Sequence, residues 1–329
     1  MHIARAYCVE AGKVVDIYQA RALFFAQEEP RRRFQFLCSD DACRAANATR
    51  VTGVNYDKLV EDERDRVVVK PHFRMNPETP HNPGCEWVAR DRRFETLECP
   101  DGIPPRHGEG RRFRRLKSSD LVDVFLPAQT ATAAVPATST RLAPPNGRDR
   151  EATGLDGSNA RNPRRLSNAT RTDFLEAVVS AYELLEPEER REVMLRIGRG
   201  SRLSYSKTFC RIEHYFAVGG KRIFHGGVRV QAHGPNFAVR FFDHVVKAGS
   251  GSPLEVSLYL KRDALLTHWN GRFLLALLAE ASKPGHYAHC YFYGRLVNHA
   301  KLDNRVVVEV DSLEHLAFTV RKRGVGSPG

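Results

Sequence analysis

Residues 224–246 read FHGGVRVQAHGPNFAVRFFDHVV. Apolar and polar side chains alternate on either side of Gly234-Pro235, a turn-forming pair, so the stretch predicts two antiparallel strands, Phe224–Ala232 and Asn236–Val246. A third strand is predicted over Leu254–Leu260, beyond the glycine run at 249–251. The run RFLLALLAEA then abandons period two for a helix near Arg272–Ala281, and β-branched alternation returns at Tyr287–Leu296 and Arg305–Val310.

Three strands, a helix and two strands is the order of an OB-like five-stranded β-barrel, which is the expected fold of this region. Alternation assigns Val228, Val230, Val239, Phe241, Val256, Leu258, Cys290 and Phe292 to the core face. The opposite face then carries Arg229, Arg240, Tyr259, Lys261, Tyr291, Tyr293 and Arg295, with Phe242 and His289 among them. Cations neutralise phosphates and release counterions, and exposed rings stack on bases, so this mixture predicts a surface for single-stranded nucleic acid.

Upstream, TDFLEAVVSAYELLEPEERREVMLRIG predicts an amphipathic helix opened by Asp173 and Glu176 in a capping-box relation, then a second helix from Pro187 to Gly198. The acidic outer side of this hairpin suits docking on the following domain or on a partner protein rather than on nucleic acid. Before it, no aromatic residue occurs between Phe125 and Phe174, and the chain is rich in Pro, Ala, Thr, Ser and Gly. Such a segment buries too little apolar surface to offset its ordering entropy. The expected organisation is therefore α+β, with a module at 1–100, a basic disordered linker at 101–170, and a helical hairpin plus barrel at 171–329.

The chain has 329 residues and a formal net charge of +12. That charge is segregated: residues 1–100 hold 16 basic and 16 acidic side chains, whereas 198–329 hold 19 and 9. The C-terminal part is thus the expected partner of a polyanion. The longest apolar run, Phe273–Ala279, is too short to cross a bilayer, and MHIARAYCVEAGK lacks the apolar core of a secretory leader, so a cytoplasmic protein without membrane contact is expected.

Seven cysteines are too few and too scattered for a disulfide scaffold. Cys38 and Cys43 stand at Cys-x4-Cys spacing in FQFLCSDDACRAANATR, and His81 and Cys85 at His-x3-Cys spacing in KPHFRMNPETPHNPGCEW. Two pairs of soft and borderline donors, each across a turn rich in Ser, Asp, Asn, Pro and Gly, predict one tetrahedral structural zinc site. His72 is the alternative ligand to His81. Cys8 and Cys99 lack a partner at ligand spacing and are expected to be buried. Val14–Ala26 predicts a strand passing into a short helix, and the acids at 61–65, interleaved with Arg64 and Arg66, predict a solvated face.

The arrangement F-x-C-x4-C, a basic stretch leading to His-Phe-Arg, then H-x3-C-E resembles the N-terminal zinc-finger-like region of the competence protein CoiA-like family of bacteria, over about residues 30–90. The resemblance implies a metal-bound module from a DNA-handling context. Members with the full layout carry a metal-dependent nuclease domain after this region, but no Asp…Glu-x-Lys strand follows here. The expectation is a zinc-containing nucleic-acid-binding protein rather than an enzyme, with a diverged metal-dependent nuclease or a protein-protein adaptor as the alternatives.

Overall fold

In the computed structural model, which describes residues 2–59, 70–85, 87–88, 121–127, 171–218, 222–246 and 251–322, the alternating stretches pair into one large sheet. Its strands are β12 (Ile223–His233), β13 (Asn236–Phe241), β15 (Pro253–Leu260), β16 (His286–Phe292), β17 (Arg295–Asn298), β18 (Arg305–Glu309) and β19 (Leu316–Lys322), in the order β17-β18-β15-β13-β12-β16-β19. Two short strands, β11 (Phe209–Arg211) and β14 (Val245–Val246), pair off this path with β12 and β15. All eight side chains assigned to the core face are buried.

Among the described residues the sheet is open, which corrects the expected five-stranded barrel. Strand β18 runs parallel to β15, β16 returns to pair with β12, and β19 adds outside β16, so β17 and β19 lie at opposite edges. Element order alone could not show this, because it says nothing of which strands are neighbours.

The helix α7 (Gly271–Ala281) follows α6 (Arg262–Thr267) and packs on the inner face. Phe273, Leu274, Leu277, Leu278 and Ala281 are buried at i, i+4, i+8 and neighbouring positions, so the run that reads as the longest apolar segment is a core helix. Each such side chain contributes about 1.5–3 kcal/mol relative to exposure. No helix among the described residues is long and apolar enough to cross a membrane.

The N-terminal module is a six-stranded sheet of order β1-β6-β5-β4-β2-β3, built from β1 (His2–Ile3), β2 (Arg5–Cys8), β3 (Lys13–Asp16), β4 (Phe36–Cys38), β5 (Arg50–Val54) and β6 (His72–Met75). As the sequence suggests, β3 passes directly into a helix, α1 (Ile17–Ala26), whose capping box joins Asp16 and Gln19. This helix lies against α7: the Phe25 and Phe273 rings are 5.5 Å apart, and Arg272 donates to the Ala26 carbonyl at 2.8 Å. A single hydrophobic core runs from Ile3 and Trp87 through α1 and α7 to Val320.

Among the described residues, the outer face of the large sheet is covered at one end. Helix α3 (Leu175–Leu184) lies along β19, and with the four-stranded sheet β10-β9-β7-β8 it encloses Phe125, Leu175, Val178, Tyr291, Tyr293 and Ala317. Strand β7 (Val124–Phe125) falls inside the expected linker. Val122, Val124 and Phe125 are buried, and the strand pairs parallel to β8 (Arg171–Thr172) and β9 (Met194–Ile197), so this apolar island is structure rather than tether. The second helix of the expected hairpin is only one turn, α4 (Glu189–Glu192), before β9 and β10 (Arg202–Ser204) and a further turn, α5 (Tyr205–Thr208). The MLRI alternation at 194–197 outweighs the helical start at Pro187. The first helix has no side-chain cap: Phe174 stands at the N-cap position with its own N–H donating to Thr172 Oγ1 at 3.1 Å, so the expected Asp173 capping box is not formed. The acids at 61–65 and Cys99 lie outside the described residues; Cys8 is fully buried.

Two buried ion pairs cross from the N-terminal module to α3. Arg21 meets Glu176 at 2.7 Å, and Lys70 meets Glu183 at 2.5 Å, with all four side chains at most 16% exposed. Tyr291 also donates to Glu183, at 2.9 Å. Burial raises the Glu183 carboxyl, but the Lys70 ammonium and these hydrogen bonds outweigh it and hold its pKa below the usual range. A depressed carboxyl stabilises the fold above its unfolded pKa, and the contribution is lost as pH falls through the native one. Glu183→Ala leaves Lys70 buried without its anion and is expected to cost about 3–5 kcal/mol in denaturant unfolding at neutral pH. The difference from wild type should narrow on acidification.

Candidate metal centre and cationic sheet face

Cys38 closes β4, and the next turn enters α2 (Asp41–Asn47), whose cap Asp40 accepts from Cys43 N at 2.9 Å. That turn, made by Ser39 and Asp40, returns Cys43 to the side of Cys38. The second knuckle is closed by Cys85 N donating to the Asn82 carbonyl at 2.9 Å, which brings His81 and Cys85 to one side. Arg44 clamps the first knuckle by donating to the carbonyls of Cys38 and Ser39, and Trp87 Nε1 donates to Ser39 Oγ at 2.9 Å.

The four donor atoms of Cys38, Cys43, His81 and Cys85 lie within 4.8 Å of one another, and all four residues are buried. Cys38 Sγ is 3.6 Å from Cys85 Sγ, and His81 Nδ1 is 3.3 Å from Cys85 Sγ and 3.7 Å from Cys43 Sγ. A tetrahedral ion with metal–sulfur bonds of about 2.3 Å and a metal–nitrogen bond of about 2.05 Å has edges of about 3.8 Å between sulfurs and about 3.6 Å from sulfur to nitrogen. These three edges are close to those of a tetrahedral metal ion, so the donor set suits one.

The surroundings fit anionic sulfur. Asp40 N and Asn82 N point at Cys38 Sγ and Cys43 Sγ at 3.4 and 3.2 Å, and Thr49 Oγ1 approaches Cys43 Sγ at 3.8 Å. Burial pushes the Cys38 and Cys85 thiols up and the His81 imidazolium down, so without a cation the cage favours neutral thiols and neutral imidazole. A bound cation would supply the charge that lets the thiols ionise. The alternative ligand His72 stands apart: it lies in β6, with Nδ1 2.8 Å from the Lys70 carbonyl, and is not part of the group.

The predicted nucleic-acid residues divide into two sets. Arg229, Arg240 and Tyr259 are exposed on the part of the large sheet that no described element covers, and Lys261 is exposed just beyond β15, at the start of α6. Arg229 and Arg240 are direct cross-strand partners, and Tyr259 pairs with Ala238 one row along. Tyr259 is fixed by a 2.8 Å bond from Asn236 Nδ2 to its hydroxyl.

Tyr291 and Tyr293 are not on that surface, which corrects the expectation for both. Tyr291 lies beneath α3 and bonds Glu183, and Tyr293 packs edge-on against Phe125 at 5.5 Å. Alternation fixes which face a side chain takes but not which part of the face is covered later by another element. Arg295 is exposed at the far edge on β17, where its Nε meets Glu309 at 2.5 Å, so it is separated from the cluster and already paired.

Four further residues belong to the open face. Phe242 and Tyr287 are 48% and 37% exposed and converge over Gly227: a Cβ there would meet the Tyr287 hydroxyl at 2.8 Å and the Phe242 ring at 3.0 Å. Glycine is thus required at 227 for both rings to lie down on the sheet. Beside them His225 Nδ1 and His289 Nε2 are 2.9 Å apart. Phe242 was visible in the alternation; the histidine pair was not, because its members are 64 residues apart. Comparison of the chain with protein-family models, with curated proteins and with solved structures finds no match.

Proposed function

We propose that this is a zinc-containing nucleic-acid-binding protein that lays a single strand across the open face of the large sheet. The observation that carries the reading is the pair Arg229 and Arg240. Two like charges sit directly opposite on neighbouring antiparallel strands, exposed, with no salt-bridge partner among the described residues. Like charges so placed repel and destabilise the pairing, and a phosphate between them relieves that repulsion. Tyr259 and Phe242, beside them and similarly exposed, offer faces for bases, which tolerate any sequence. The nearest acid on this face, Glu255, is held by Arg305.

The ion in the cage is read as zinc, since three thiols and an imidazole at tetrahedral spacing suit it. The convergence of Cys38, Cys43, His81 and Cys85 supports the reading of this region as a metal-bound module, here docked through α1 on α7. Its role is to present and brace the sheet rather than to contact the strand.

Binding of a fluorescent single-stranded oligonucleotide by the full chain, titrated with salt, tests the function. Neutralising about four phosphates gives a slope of log K against log salt of about −2.8. Affinity that is absent at low salt, or indifferent to salt, would overturn the reading.

A further inference from the structure

At the end of the open face, where the sheet passes beneath α3, two histidines share a hydrogen bond. His289 pairs with Gly227 and His225 with Tyr291 in the β12–β16 register, so both rings project from the outer face on diagonal positions. Nδ1 of His225 and Nε2 of His289 are 2.9 Å apart, with ring centroids 5.2 Å apart. The two nitrogens therefore face each other along the line between the rings, sharing one proton, instead of converging on a third point as ligands to a metal would.

We propose that the His225–His289 pair is a phosphate subsite that takes up a proton as a nucleic-acid strand seats on the sheet; the inference rests on the strand-binding reading of that face. The pair is half-exposed and adjoins the platform of Phe242 and Tyr287, with the Tyr287 hydroxyl 3.5 Å from His289 Nδ1. The row of His289 and Gly227 is followed along β12, two residues away, by that of Arg229 and Arg240, a step of about 7 Å along the strand, and His225 lies one row further back.

The two acids whose charge reaches the pair, Glu183 and Asp243, are each already paired with a cation. From α3, Glu183 is engaged by Lys70 and Tyr291. Asp243, after β13, is engaged by Arg211 of β11 at 3.0 Å. Arg190 of α4 lies over the Tyr182 ring, and Arg321 of β19 pairs across from Tyr287. Burial first, then each other's charge and Arg211 and Arg190, push His225 down to about 4, and burial lowers His289 as well. Free protein thus holds the pair neutral at pH 7. A phosphate oxygen placed against the outer nitrogen supplies the absent counter-charge and raises that pKa, so one proton is taken up and the imidazolium donates to it. By linkage the strand binds more tightly as pH falls from the pKa of the complex toward that of the free pair.

The test uses the full chain. Titration of the His225 and His289 ring protons by NMR, with and without a single-stranded oligonucleotide, should show their apparent pKa rising by about two units on binding, and affinity rising about tenfold from about pH 7.5 to about pH 5. His225→Gln and His289→Gln should lose most of the pH dependence of binding. Unchanged histidine titration, or variants that keep the slope, would overturn the subsite while leaving strand binding intact. An equal rise with inorganic phosphate alone would identify a free-anion site and overturn the strand assignment. No binding at any pH would overturn both the subsite and the reading beneath it.

Discussion

Cys38→Ser and Cys85→Ser are expected to abolish metal binding and unfold the N-terminal module. Structural zinc contributes about 10–16 kcal/mol of apparent binding free energy at neutral pH, as much as or more than the whole stability of an ordinary domain. The cage places three thiols and an imidazole within the buried core of the module, beside a short helix entered from a tight turn. Because Phe25 of α1 packs on Phe273 of α7, the loss should propagate to the large sheet as a lower unfolding temperature of the entire chain. Cys290→Ser serves as the control. Cys290 is fully buried in the sheet, away from the cage, and its replacement should cost only about 1–3 kcal/mol for burying a hydroxyl. Circular dichroism and hydrogen exchange distinguish the outcomes. Equal, small effects for all three changes would show that the cage holds no ion that matters to folding.

The second large effect concerns the sheet face. Replacing Arg229, Arg240, Phe242 and Tyr259 together by alanine is expected to weaken single-strand binding at least about 700-fold at about 0.1 M salt. The two arginines account for about 25-fold through counterion release, and each ring for about 1–3 kcal/mol of stacking. The salt slope should become shallower by about 1.4, since two phosphate contacts are removed. These side chains are exposed, so the variant should remain folded, and removing the facing arginines relieves a repulsion. Wild-type affinity in a folded variant would move the binding surface elsewhere. Changing Arg295 instead should leave affinity nearly unaltered, because Glu309 already neutralises it at the opposite edge.

Much of this was legible in the sequence, for identifiable reasons. The eight inward side chains of the large sheet follow from alternation, since period two leaves each residue only two faces to choose from. The metal cage follows from spacing, because a turn of four or three residues forces both ends toward one point. What stayed hidden depends on contacts between distant segments. The parallel pairing of β18 with β15 and the addition of β19 beside β16 turn a presumed barrel into an open sheet, and neither leaves a local signal. The covering of Tyr291 and Tyr293 depends on α3 and on β7, a strand carried in by an apolar island within a stretch otherwise poor in core residues. The docking of α1 on α7 joins residues some 250 positions apart in a protein whose composition divides into two halves.

Metal analysis of the purified full chain by native mass spectrometry tests the foundation of this account most directly. One tightly held zinc ion per chain, lost when Cys43 or His81 is replaced and unaffected when His72 is replaced, is the predicted result. A folded chain whose mass shows no bound ion, with its thiols freely reactive, would contradict it.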